Sequence, residues 1–220
     1  MNLFTFFLCL LLMCFSLKVN CQTTGVVNDS EGNTYKTVRI GNRLWMAENL
    51  RATRFRNGEP ITNVPEDSRW MYQAAAAWCS YNNDSAQAKQ QGNLYNWYAA
   101  SDARGICPHG WHIPSDAEWQ QLADALGGNA AAGGKLKSTT LWDFPNAGAT
   151  NASGFNATGA GIRLFTGNYN LMGFCVVFWS STSGNKLLAW VRYLEYGNAK
   201  FTRTYYGKTS GLSCRCVKDE

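Results

Sequence analysis

Between Cys107 and Trp119 the chain reads CPHGWHIPSDAEW, and no other stretch restricts the fold as tightly. Ser115 followed three residues later by Glu118 has the spacing of a capping box, in which each side chain satisfies a backbone N–H left open at a helix start. A helix is therefore predicted to begin at Asp116. Trp119, Leu122, Ala123 and Leu126 then share one face, Asp116 and Glu118 suit the positive helix end, and Gly127-Gly128 supplies a left-handed stop. Pro108 and Pro114 keep the lead-in extended, which fixes Cys107 and Trp111 relative to that helix.

The rest of the chain is read outward from this point. Residues 34–47 carry two β-rich runs joined by Gly41-Asn42, the signal of a tight hairpin. Residues 51–68 are polar, contain Pro60 and Pro65, and predict an irregular loop. Residues 67–78 favour a short helix in the alanine run, after which Trp78, Cys79 and Tyr81 look like a strand entering the core. Residues 82–91 read as a polar loop and 94–103 as a helix rich in Tyr and Trp. Beyond the central helix, GGNAAAGG and NAGATNASGFNATGAGI predict long surface loops, which in a compact domain are functional or plastic. Strands are expected at 161–166, 176–181, 187–196, 199–206 and 210–217, with Gly197-Asn198 as a second hairpin turn. No repeat or linker divides the chain.

Residues 3–17 form an apolar run placed and sized for a secretory signal, with cleavage expected after Cys21. Lipidation of Cys21 fits less well, because Lys18 and Asn20 stand where such signals carry an aliphatic and a small residue. Residues 22–33 are then a lead-in and 34–220 one domain, without a transmembrane segment in the mature chain. Losing Lys18 lowers the formal net charge only from +5 to +4, and no basic run accompanies the excess, which argues against nucleic acid as partner. Nine Trp in a chain with 16% charged residues point to a core built on large aromatics, some of which could also stack on sugars. Of the eight cysteines, Cys79, Cys107, Cys175, Cys214 and Cys216 follow the leader. In an exported protein these imply disulfides, with one thiol free or shared between molecules.

The ordered set TVRIGNRLWMAENL, AWCSYNND, GNLYNWYAA, CPHGWHIPSDAEW, GGKLKS, GFNATGAGIR, FWSSTS and SCRCVKD resembles the Fibrobacter succinogenes major paralogous domain, found in exported proteins of Bacteroidetes and Fibrobacteres. The resemblance runs from about Thr34 to the end. It implies an α+β fold similar to the C-type-lectin-like architecture, a twisted antiparallel sheet with about two helices and long loops on one side. It also implies a Cys107–Cys216 bridge, since these match the family's two typical motif cysteines. Where relatives often carry a partner for Cys79 this chain has SAQAKQQ, and Cys214 stands where the family tends to have valine. Cys79, Cys175 and Cys214 are left with one possible bridge among the three. A Cys214–Cys216 bridge within one strand would be strained.

Several groups invite functional readings. Cys107, His109 and His112 have the look of a zinc site, but no fourth ligand is placed by spacing and the bridge claims Cys107, so no metal or cofactor is expected and His112 is read as hydrogen-bonded beside Trp111. Glu48 and Asn49 could belong to a sugar-binding polar cluster; capping a turn and satisfying buried backbone is the preferred role. Trp179, Ser180, Ser181 and Thr182 suggest a nucleophile, yet the only two histidines lie in the central turn. Cys214 and Cys216 are the only close cysteine pair for an oxidase, and Cys216 is better explained as structural. Asp84-Ser85-Ala86 fits a short O-glycosylation acceptor pattern. Trp45, Trp97, Trp111, Trp119 and Trp179 are expected in the core, whereas Trp142, Phe144, Tyr169, Tyr205 and Tyr206 are candidates for a binding face. The chain is thus expected to be a secreted or cell-surface binding or adhesion module for carbohydrate or a surface protein, not an enzyme. A structural surface component, or an enzyme of unknown chemistry, is the competing expectation.

Overall fold

In the computed structural model the capping box forms as its spacing predicts: Ser115 Oγ accepts from Glu118 N at 3.3 Å, and Ser115 N donates to Glu118 Oε2 at 2.7 Å. The helix runs Asp116–Ala125, Gly127 and Gly128 end it at φ +97° and +87°, and Trp119, Leu122 and Ala123 are buried beneath it. The structure describes residues 23–220; the expected leader, residues 1–21, lies outside the described residues.

Strands β1 (Thr23–Asn28), β2 (Thr34–Ile40) and β3 (Arg43–Met46) form an antiparallel meander, with Gly41 at φ +59° in the expected hairpin turn. A small second sheet follows from β4 (Thr62–Asn63), β5 (Ala77–Cys79) and β6 (Leu94–Tyr95). The central turn contributes β7 (Trp111–His112). The third sheet collects β8 (Ala160–Arg163), β9 (Tyr169–Met172), β10 (Cys175–Ser183), β11 (Leu188–Glu195) and β12 (Thr202–Gly207) in the order β12-β11-β10-β8-β9. All its neighbours are antiparallel except β8 and β10. Strand β13 (Val217–Lys218) returns to the first sheet and slots between β3 and β7. The result is an α+β chain of curled, mainly antiparallel sheets with few helices.

Side chains alternate across a strand, and β10 uses both faces. Cys175, Val177 and Trp179 enter one apolar cluster with Trp111 and Cys216, while Val176 and Phe178 enter a second with Trp45, Trp119 and Phe155. Trp119 Nε1 donates to Trp179 O at 3.2 Å and Trp179 Nε1 to Tyr95 O at 2.7 Å, whereas the buried Nε1 atoms of Trp45 and Trp70 have no hydrogen-bond partner. Trp45 is buried as expected, whereas Trp97 is only half-buried.

One segment joins the three sheets. Residues 210–217 are buried without interruption. Gly211 bridges to Arg163, Leu212 to Tyr95 and Ser213 to Phe178; Cys214 O and Cys216 O accept from Leu50 N and Met46 N at 2.9 and 3.0 Å. A Cβ on Gly211 would lie 2.9 Å from both Arg163 and Trp70, so only glycine lets the thread pass. Cys107 and Cys216, 109 residues apart, are joined by the disulfide with a Cα–Cα distance of 6.0 Å.

Elsewhere packing overrides local expectation. Of residues 94–103 only Trp97–Ala100 is helical; Leu94–Tyr95 is β6, antiparallel to Trp78 and Cys79 of β5, and Tyr95 also exchanges backbone hydrogen bonds with Leu212. The expected polar loop 82–91 holds a helix, Ser85–Gln91, whose N-terminus Asp84 caps by accepting from Ala86 N at 2.8 Å. A further short helix, Ala132–Leu136, interrupts the glycine-rich region. The hairpin at Gly197-Asn198 is wider than expected, because Phe201 turns into the core and β12 starts only at Thr202. Within residues 210–217 no continuous strand forms: Gly211, Leu212 and Ser213 make isolated bridges, and only Val217 enters a strand, β13. Cys79, Cys175 and Cys214 are all free and buried, so three thiols remain instead of one. Cys79 sits in a separate cluster with Trp70, away from the other two.

Candidate functional site

The irregular side of the molecule is fixed by cations drawn inward. Lys137 is fully buried, and its Nζ donates to the carbonyl oxygens of Ala147, Glu195 and Asn198 at 2.8–3.0 Å. Arg215 donates through Nε to Asn49 Oδ1 at 2.7 Å, through Nη1 to Met46 O and Phe155 O, and through Nη2 to Asn156 O. Arg163 holds Val64 O, Pro65 O, Gly167 O and Asp67 Oδ1, and stacks between Trp70 and Tyr169 at 4.5 and 4.6 Å. Arg192 reaches Asn129 Oδ1 and Gln120 Oε1, each at 3.1 Å. A buried charge is tolerated only when its donors are met, and here loop carbonyl dipoles meet most of them. Burial pushes the Lys137 ammonium down and Arg215 to about 9, which leaves the guanidinium charged at neutral pH. Residues 137–159 therefore contain little regular structure yet are pinned at several points.

Lys137, Arg163 and Arg215 fall within the family motifs GGKLKS, GFNATGAGIR and SCRCVKD, but nothing in those motifs shows which carbonyls they hold, and Arg192 lies outside all of them. Asn49 takes the preferred role of satisfying buried backbone: Nδ2 donates to Gln91 O at 2.8 Å. Glu48 Oε2 accepts from Lys36 N at 2.9 Å.

At the central turn, His112 is held between two carboxylates, with Nε2 2.9 Å from Glu118 Oε1 and Nδ1 2.5 Å from Asp219 Oδ1. Arg43 Nη1 approaches the same Glu118 oxygen at 3.0 Å. The Glu118 hydrogen bond is the largest cause of a raised His112 pKa. Burial opposes ionisation of Glu118, but hydrogen bonds from His112 and Ser115 outweigh it and hold the carboxyl at about 2. Ser181, His112 and Asp102 line one depression of about 250 Å³, a set that invites a hydrolase interpretation. Both ring nitrogens of His112 already face carboxylates, and Asp102 is paired with Arg104 at 2.8 Å, so neither activates Ser181. Ser180 is buried, His109 is exposed, and the sulfur of Cys107 is taken by the disulfide. Among the described residues no group of three or more His, Cys, Asp or Glu is arranged to hold a metal ion.

The five aromatic candidates do not form one face. Tyr205 and Tyr206 point to opposite sides of β12: Tyr205 lies against Trp190 at 3.7 Å, and Tyr206 packs on the core. Tyr169 sits on β9 at the far edge of the same sheet, four strand spacings or roughly 19 Å away. Trp142 is half-buried with Nε1 donating to Ala157 O at 2.8 Å, and Phe144, 93% exposed, projects from the same loop. Tyr169 belongs to a concave surface. With Tyr81, Leu171, Met172, Phe174 and Asn170 it lines an open groove of about 360 Å³. The Tyr81 and Tyr169 rings are 5.2 Å apart, and Tyr169 Oη donates to Asn83 Oδ1 at 2.8 Å. Leu171 is held at φ +63°, an uncommon conformation for a bulky side chain. Tyr81 reads in the sequence as entering the core, and it is only half-buried against the Trp70 and Cys79 cluster; Phe174 follows β9 in a turn with no clear sequence pattern. Ser85, of the possible glycosylation acceptor, is exposed on the first turn of its helix.

Among the described residues no helix is long and apolar enough to cross a membrane. No curated protein and no solved structure matches the chain. A family model described as the Fibrobacter succinogenes major domain matches residues 38–218, which takes in the central turn, the pinned loops, the aromatic groove and both bridged cysteines. The chain therefore belongs to the Fibrobacter succinogenes major domain family.

Proposed function

We propose that this protein is a secreted or surface-exposed recognition module that binds carbohydrate through the groove of Tyr81, Tyr169 and Phe174. The observation that carries this is the groove itself: aromatic, apolar and amide side chains line it, with no charged residue among them. Such a surface suits the apolar face of a sugar ring, with Asn170 and the tyrosine hydroxyls at its edge. The neighbouring loops are already ordered by Lys137, Arg163 and Arg215, so binding would not have to order them. The apolar run 3–17 and the disulfide fit an exported chain.

A glycan array combined with a polysaccharide pull-down tests the proposal. Saturable binding is expected for the purified protein, with a loss of at least ten-fold in Phe174→Ala and Tyr169→Ala that retain the wild-type circular dichroism spectrum. Glycan turnover without saturable binding would favour the enzyme reading. Silence in both assays would leave a structural surface component.

A further inference from the structure

A second, smaller depression is lined by Gln90 and Gly92, the neighbours of the Gln91 that donates to Met172 of the groove, and its chemistry is opposite to that of the groove. It is a cleft of about 100 Å³ in which the residue 47–51 segment, the end of the 85–91 helix and the pinned 138–158 loop converge. Three cations line it, Arg51, Lys89 and Arg215, against one carboxylate, Glu48. Hydroxyls from Ser138, Thr140 and Thr158 complete the polar lining.

Arg215 is decisive. The residue is 1% exposed, and its guanidinium donates to three backbone carbonyls and the Asn49 amide oxygen, with no carboxylate among them. Glu48, the one acid in the lining, accepts from the backbone N–H of Lys36 and its charge acts on Arg215, so it offsets one of the three cations. The cleft therefore keeps a surplus of positive charge close to low-dielectric protein, where it acts more strongly than in water. Its wall is built for close approach: Gly92 has φ +84°, and a Cβ there would lie 2.5 Å from Asn49 Cβ. The volume admits a compact charged group with its waters, not a sugar ring.

We infer that this cleft is an oxyanion subsite, taking the carboxylate or sulfate substituent of an acidic glycan. The inference rests on the recognition reading above and names the ligand class within it. Lys89, exposed on its helix, meets the entering group first; Arg215 supplies fixed charge at the floor; the three hydroxyls donate to the oxygens.

Isothermal titration at fixed ionic strength, with polygalacturonate, dextran sulfate and neutral dextran as probes, tests this on the purified protein. At least one acidic polymer should bind ten-fold or more tightly than dextran, and the comparison of the two acids tells uronate from sulfate. Lys89→Gln should weaken that binding at least three-fold and Glu48→Gln should strengthen it, while Lys186→Gln on the turn between β10 and β11 should change nothing. Equal losses in Lys89→Gln and Lys186→Gln would reduce the effect to diffuse surface charge and overturn the subsite. Dextran or other neutral glycans bound as tightly as the acids would also overturn it while sparing the recognition reading. No binding to any glycan would overturn both.

Discussion

His112 couples the central turn to Asp219 through one ring nitrogen and to Glu118 through the other. Its raised pKa means that the folded state favours the imidazolium. The stabilisation is therefore fully present below the unfolded histidine value of about 6.5 and is lost as pH rises through the folded value. Glu118 has the opposite sign: its contribution is present above the ordinary carboxyl value of 4.5 and is lost as pH falls toward about 2. Thermal midpoints measured from pH 5 to 9 should fall with rising pH in the wild type, and His112→Gln should flatten that slope. An unchanged slope would show that the pair contributes nothing. Arg215→Leu should cost about 3–5 kcal/mol in urea unfolding, because it strands buried acceptors that now share one charge. The capping pair was readable because both partners lie within four residues. The cation clamps were not, since the partners of Arg215 lie 59 to 169 residues away and arginine is ordinarily a surface residue.

Elements with local punctuation emerge where the sequence places them. The 116–125 helix has its box and its glycines, and the β2–β3 hairpin has Gly41. Ser115→Ala should cost about 1 kcal/mol by removing the cap, a loss measurable in urea unfolding, and Ser115→Asp should recover most of it. A cost near zero would mean that tertiary packing alone sets the start of the helix. Elements made by distant partners are not legible. SAQAKQQ reads as a polar loop, but alanine, glutamine and lysine are good helix formers once Asp84 caps them. Leu94–Tyr95 lies in a run that reads as helical and becomes a strand because it pairs with Trp78 and Cys79 of β5, with Leu212 bridging to Tyr95 on a separate contact. The groove has the same limit: Tyr81, Tyr169 and Phe174 come together through β8–β9 pairing and a turn at Gly173, neither of which has a sequence period.

Across the whole molecule, the family resemblance makes the α+β class and the Cys107–Cys216 pairing legible, because ordered motifs carry long-range information that periodicity lacks. The same distant motifs converge in the buried segment 210–217, which touches all three sheets before the disulfide ties it to the central turn. A bridge closing a loop of this length is worth about 4–5 kcal/mol in the chain-entropy model, and at this chain length that corresponds to roughly 10–20 °C in Tm. Cys79, Cys175 and Cys214 are buried, and burial raises all three thiols, Cys175 to about 12, so in the folded state they are poor partners for disulfide exchange. The most direct test is thermal unfolding of Cys107→Ser/Cys216→Ser beside the wild type, followed by both tryptophan fluorescence and far-ultraviolet circular dichroism. The account predicts one coincident transition for each protein, with the variant's midpoint lower by roughly 10–20 °C. Separate transitions in the two signals of the wild type, or a midpoint unmoved by loss of the bridge, would contradict a single scaffold organised around the stapled C-terminal segment.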